Sequence, residues 1–284
     1  MSSPTVLRRR LGNELGKLRA SRDLSAKDVA AALGWSASKL SRIESGLVSL
    51  QERDAAKLLA HYGITSPEEV KQFLSLTRQS RQQGWWHAYG DALPERFRAY
   101  VGFEADATKI ATFQCELVPG LLQTERYARQ IMRSMKPAGS AEDLELKLAL
   151  RMQRQDILDR HDPPQLWAII GESVIRRPVG DESVMAEQLS HIATMAEERP
   201  NITVQVLPFA AGAHTALGSS FSLLSFSDIP GSIVYSETIT TKTYIEQQSE
   251  IYRHEDIFHR LMASSTQPEK SILWLRKAAE EYNA

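Results

Sequence analysis

The sequence has a single cysteine, Cys115, in 284 residues. One thiol cannot close an internal disulfide, which fits a reducing compartment. No histidine partner stands near it in the sequence, so it reads as a buried apolar cysteine rather than a catalytic thiol. No apolar run approaches the ~20 residues that span a bilayer. The opening MSSPTVLRRR continues amphipathically, without the apolar centre of a signal peptide. The expectation is a cytoplasmic protein with no membrane partner. The seven histidines are scattered, and His254 and His259, five apart, do not share a helix face, so no metal site is expected. A glycine-rich phosphate cradle is missing too. Catalytic residues, metal and cofactor are therefore all expected to be none, and the chain is read as not an enzyme.

What is present is unevenly distributed. Net charge is −1, yet residues 1–83 carry 14 Lys and Arg against 8 Asp and Glu, while the remainder carries 20 against 27. A basic head on an acidic body fits attraction of the head to phosphate. The head is helical in pattern. Leu7, Leu11, Leu15 and Leu18 lie on one face of a helix over 6–21. Ser25 and Ser36 cap a second and a third helix, and a fourth starts near Leu50. Ser66-Pro67-Glu68-Glu69 opens a fifth with a cap, a proline and an acid in register.

The informative stretch is 25–46, SAKDVAAALGWSASKLSRIESG. Val29 and Leu33 lie one turn apart on a core face. Ala30 is small where another helix must approach, and Gly34 supplies the positive φ of a tight turn. Leu40 and Ile43 anchor the next helix inward. That leaves Ala37, Ser38, Ser41 and Arg42 outward, small or polar except for one arginine, as a helix entering a major groove requires. Arg42 is the leading base reader and Ser38 the second. Lys39 lies on the flank, placed for phosphate. The DNA-binding set is thus Ser25, Ser36, Ala37, Ser38, Lys39, Ser41 and Arg42, and the expected partner is double-stranded DNA.

These residues, with Leu18-Arg19, Leu24-Ser25 and Leu40-Ser41-Arg42-Ile43-Glu44-x-Gly46, resemble the lambda-repressor-like (Xre) helix-turn-helix family over residues 7–63. The resemblance implies a bundle of four or five helices and a supporting pair between Arg19 and Glu44. One departure matters: Ala37 and Ser38 stand where glutamine readers are common, so no operator sequence can be carried over.

Residues 84–100, aromatic with Gly and Pro and without a clean period, read as a connecting segment. Its Trp85, Trp86 and Tyr89 are expected to pack against the second domain rather than hold a ligand. From 101 to 284 the pattern is mixed. Helices are expected at 104–115, 123–134, 141–160, 181–198, 245–264 and 268–282, with strands at 166–170, 202–207, 221–226 and 232–237. The fold class is therefore mainly α with an α+β C-terminal domain, a small, mostly antiparallel sheet packed with helices. Glu104-Ala105, Val118-Pro119-Gly120-Leu121-Leu122-Gln123-Thr124, Tyr127-Ala128, Arg151-x-x-Arg154-Gln155, Gly171-Glu172, Gln188-Leu189, Val204-x-Val206-Leu207-Pro208-Phe209, Gly212-x-His214 and Val234-Tyr235-x-Glu237 resemble the C-terminal domain of actinomycete WhiJ-like and antitoxin-like regulators. That resemblance implies roles in development or secondary metabolism and a small acidic partner protein encoded nearby. The second domain is expected to make a homodimer, as paired half-sites require. It is also expected to receive a signal from a partner protein or a small-molecule effector. Glu116, Glu172, His214, Tyr235 and Glu237, polar residues at segment ends, are the candidate ligand pocket. Two other readings are an antitoxin-like protein that neutralises a small partner, and a self-cleaving repressor cut at Ala138-Gly139 or Ala211-Gly212. The helical content of this half speaks against the latter.

Overall fold

A computed structural model describes residues 3–92, 95–135, 141–227, 229, 231–238 and 241–283. The chain divides into two compact units. The first comprises Met1–Ala88 with Val101–Asp106 and Asp228–Pro230, and the second comprises Tyr89–Tyr100, Ala107–Ser227 and Gly231–Ala284.

The first unit is a five-helix bundle: α1 Pro4–Ala20, α2 Ala26–Ala32, α3 Ala37–Glu44, α4 Glu52–His61 and α5 Pro67–Ser80. Four of the five starts carry a side-chain cap, and three of these, Ser25, Ser36 and Ser66, are the ones expected from the sequence. The hydroxyls of Ser3, Ser25, Ser36 and Ser66 accept from the backbone N–H of Val6, Asp28, Lys39 and Glu69. Gly34 turns the chain between α2 and α3 at φ +68°. The core joins Leu11, Leu15, Val29, Ala30, Leu40, Ile43, Leu50, Leu58, Leu59 and Tyr62, each at most 3% exposed.

Helix α1 packs closely against the end of α3. A Cβ on Gly12 would collide with the carbonyl oxygens of Ile43 and Glu44, and one on Gly16 would touch the Glu44 side chain. Gly46, at φ +68°, brings the chain so close to α1 that a Cβ there would lie 2.8 Å from Arg9 Cα. Arg9 donates to the Ser45 carbonyl from the same stripe of α1.

The second unit is built on a six-stranded mixed sheet in the order β3-β2-β1-β4-β5-β6. Its strands are β1 Lys109–Gln114, β2 Gln165–Gly171, β3 Ile202–Leu207, β4 Phe221–Ser225, β5 Ser232–Glu237 and β6 Lys242–Ile245. β1, β2 and β3 pair in parallel; β4, β5 and β6 continue antiparallel from β1. The helices are α6 Glu95–Asp106, within which the unit boundary falls, α7 Glu125–Met135, α8 Ala141–Gln155, α9 Glu172–Arg176, α10 Glu182–Glu198, α11 Gln248–Ser264 and α12 Pro268–Asn283. Helix α11 covers the face carrying Phe113, Ile169, Phe221, Leu223 and Val234 through Ile251, Phe258 and Leu261. Alternate residues, among them Ile110, Leu166, Ala168, Val204 and Val206, are buried on the other face. Strand β3 is a sheet edge. Its outward Val206 N–H and C=O are taken by the Ser271 hydroxyl and the Thr266 N–H, which closes that part of the edge.

The architecture is the expected one, mainly helical with an α+β second part. Several expected bounds are corrected. The helix expected at 104–115 ends at Asp106, and Lys109–Gln114 is instead β1 at the centre of the sheet. Helix 141–160 stops at Gln155 and passes into a 3₁₀ turn, Asp156–Leu158. Residue 245 ends strand β6, and α11 begins at Gln248. The segment without a clean period holds a 3₁₀ turn, Trp85–Ala92, and the start of α6. Within the first unit Trp86 is buried with its ring edge-on to Trp85; within the second, Tyr89 donates to Gln153 Oε1 at 2.6 Å.

Replacing Gly12 by alanine is expected to lower stability by about 1–3 kcal/mol, because a backbone must move to admit the methyl group. Urea unfolding monitored by circular dichroism measures it. A Gly12→Ala protein as stable as the parent would refute the close approach.

Candidate nucleic-acid interface

Helix α3 is short, and its orientation is set from one side. Leu40 and Ile43 are 0% and 3% exposed. At 100° per residue, Ser38, Ser41 and Arg42 then lie opposite, with Ala37 and Lys39 on the two flanks. All five are exposed. Arg42 makes no side-chain hydrogen bond or ion pair among the described residues. Its guanidinium stands free on the exposed face.

Three other members of the set, Ser25, Ser36 and Lys39, are already engaged. Ser36 Oγ accepts from Lys39 N at 3.1 Å. Ser25 Oγ accepts from Asp28 N at 3.1 Å and donates to Asp28 Oδ2 at 2.6 Å. Both hydroxyls fix the helix starts. The Lys39 ammonium lies 4.0 Å over the Trp35 ring and 3.0 Å from Asp54 Oδ2. It ties the start of α3 to α4, a role its position in the sequence does not disclose.

The end of α3 is held by a bidentate pair. Arg19 Nε donates to Glu44 Oε1 at 2.7 Å and Nη2 to Oε2 at 2.9 Å, while Nη1 donates to the Leu24 carbonyl at 2.9 Å. The Glu44 hydrogen bonds raise the Arg19 pKa above its ordinary value. Burial, with Glu44 beside it, pushes the Tyr62 hydroxyl upward as well.

The five candidate pocket residues of the second unit do not form one pocket. All stand at or just beyond the same end of the sheet, where β1, β2, β3 and β5 finish, but their side chains are separately engaged. Glu116 is exposed and paired with Arg177. Glu172 accepts from Phe209 N at 2.9 Å and meets Arg176 at 3.4 Å. His214 stacks edge-on to Phe113 at 5.5 Å on the face that α11 covers. Its Nδ1 is buried without a partner among the described residues, and burial lowers its pKa. Tyr235 points to the opposite face, 4.2 Å from the Tyr100 ring, and donates to Glu237, which also pairs with Lys242 at 2.6 Å. Burial pushes its hydroxyl pKa upward. Cys115 is half-buried, its Sγ 3.4 Å from Ser220 Oγ. Ala211-Gly212 closes a 3₁₀ turn after β3; Ala138-Gly139 lies outside the described residues.

Residues 10–73 match a family model described as a helix-turn-helix domain, which supports DNA binding by the first unit. Residues 97–277, more than half of the chain, match a family described as a domain of unknown function (DUF5753). The chain belongs to the DUF5753 family. No curated protein and no solved structure matches it.

The DUF5753 region contains a set of interactions that reading the pocket candidates missed. The segment 118–124, VPGLLQT, is strapped down by buried and half-buried polar side chains. Gln188, fully buried, donates to the Leu122 carbonyl and accepts from Thr124 N, at 2.7 and 2.8 Å. Gln123 donates to the Val118 carbonyl at 2.7 Å and accepts from Arg151 at 2.7 Å. Gln155 donates to the carbonyls of Gly120 and Gln123. Glutamines at spacings without an obvious helical partner were the available signal.

Arg19→Ala is expected to cost about 2 kcal/mol in urea unfolding, the scale of charge-assisted hydrogen bonds. Glu44→Ala should cost as much, and the double substitution little more than either one. Additive losses would show that the two side chains act independently.

Proposed function

We propose that the chain is a sequence-specific DNA-binding transcriptional regulator that acts as a dimer. In this reading α3 lies in the major groove and the DUF5753 region dimerises and receives a signal. The observation that carries it is the exposed face of α3. Ala37, Ser38 and Ser41 let the helix axis approach the bases, and the free Arg42 guanidinium offers the fork that guanine O6 and N7 accept. The helix-turn-helix match and the basic head support the same reading. Lys39 meets phosphate only by leaving Asp54, so it contributes less than a free lysine would. The nature of the regulated genes, whether for development, secondary metabolism or a neighbouring small protein, rests on the sequence resemblance alone.

The test is selection of duplexes from a random pool by the full-length protein, followed by titration of Arg42→Ala at fixed salt. Arg42 is exposed, so the variant should fold as the parent does. It is expected to lose discrimination worth about 1–3 kcal/mol at one base pair of each half-site. Equal affinity and equal selectivity in the variant would displace α3 from the reading role. Light scattering of the full chain should report a dimer, and a clean monomer would remove dimerisation from the reading.

A further inference from the structure

The turn that ends α3 presents a leucine that packing does not explain. Gly46 N donates to the Ile43 carbonyl and Leu47 N to the Arg42 carbonyl, at 2.9 Å each. With Gly46 at φ +68°, these are the paired bonds of a Schellman motif. In that motif the residue after the glycine ordinarily packs on an apolar residue of the helix's last turn. Here the residues in reach are Ser41 and Arg42, both polar and exposed. Leu47 therefore lacks the contact that would bury it and is 59% exposed. Among the described residues of the first unit it is the one large apolar side chain in that state. The backbone bond to Arg42 also fixes where it stands, at the end of the face formed by Ser38, Ser41 and Arg42.

We infer that Leu47 is a specificity-determining residue that contacts the C5-methyl group of a thymine next to the base pair read by Arg42. The inference rests on the DNA-binding reading above. An apolar side chain distinguishes thymine in the major groove only through that methyl group. The contact removes apolar surface from water on both partners, whereas a leucine facing phosphate would gain nothing. Leu47 thereby adds an apolar contact to a face otherwise formed by two serines, an alanine and an arginine.

The experiment uses the duplex selected by the full-length protein, with each thymine replaced in turn by deoxyuridine, which removes the methyl group and leaves pairing intact. Fluorescence anisotropy at fixed salt gives the affinities. The parent is expected to lose affinity roughly fourfold at one thymine per half-site, the scale of one buried methyl group. Leu47→Ala should bind the thymine and uracil duplexes equally, with an unchanged thermal transition. A parent indifferent to uracil at every position overturns the inference, as does a Leu47→Ala protein that keeps the full uracil penalty. Leu47→Ala weakening both duplexes alike while the penalty persists assigns Leu47 to the sugar-phosphate backbone and overturns it too. A pool that yields no enriched duplex removes the DNA-binding reading itself and this inference with it, which separates the two failures.

Discussion

The first unit depends on the approach of α1 to the last turn of α3. An eight-residue helix is far below the length that holds itself together in water, so α3 persists only through what grips it. Leu40 and Ile43 hold it from the core. Gly12 lets the α1 backbone reach the carbonyls that end it, and Arg19 clamps Glu44 from the same stripe. Because the grip comes wholly from one side, the opposite side is free of any packing duty. That freedom permits an alanine and two serines where an ordinary surface helix carries long side chains. The small outward residues are thus a consequence of the inward clamp.

Much of this was legible because it is local. Serine caps, Gly34 at the turn and the spacing of Leu40 and Ile43 are each decided within a few residues. The Arg19–Glu44 pair spans 25 positions and was legible only through a family resemblance. Gly12 and Gly16 were not legible, since a glycine inside a helical pattern signals weakness as readily as close approach. The engagement of Lys39 by Asp54 was hidden for a similar reason: fifteen residues and a turn separate them. In the second unit β1 was lost into a helix. KIATFQ follows α6 with no glycine or proline between them, and a strand paired on both edges and covered on both faces does not alternate cleanly. The four residues of β6 are too few and too polar to announce a strand.

The DUF5753 region shows why a recognisable sequence need not disclose a chemistry. Its segment VPGLLQT lies outside the strands and α-helices, and many of its backbone groups are satisfied by side chains. Gln188 serves a donor and an acceptor two residues apart with one amide, much as a neighbouring strand would. Gln123, Gln155 and Arg151 complete the strap. Residues used in this way are chosen for reach and hydrogen-bonding capacity, and they identify a fold. The polar residues at the strand ends, which the sequence singles out for a ligand, are divided between the two faces of the sheet, and Glu116, Glu172, Tyr235 and Glu237 are each held by a neighbouring group.

The composition of the α3 face also bears on assembly. Serine hydroxyls donate and accept indifferently, alanine makes no hydrogen bond, and Lys39 and Glu44 are held by Asp54 and Arg19, so Arg42 is the side chain of that face free to make a bidentate base contact. One such contact discriminates by about 1–3 kcal/mol, or roughly 5- to 160-fold. A genome offers on the order of 10⁶ or more competing sites, so a single such contact cannot distinguish its target from the background. Two heads held rigidly on one duplex multiply their discriminations, and the square of the upper value, roughly 2.5 × 10⁴, narrows the gap to the competitors without closing it. An apolar thymine contact in each half-site raises the discrimination further. On the DNA-binding reading proposed above, a helix this sparse discriminates far better when a second copy reads the other half-site, and that is the physical argument for the proposed dimer.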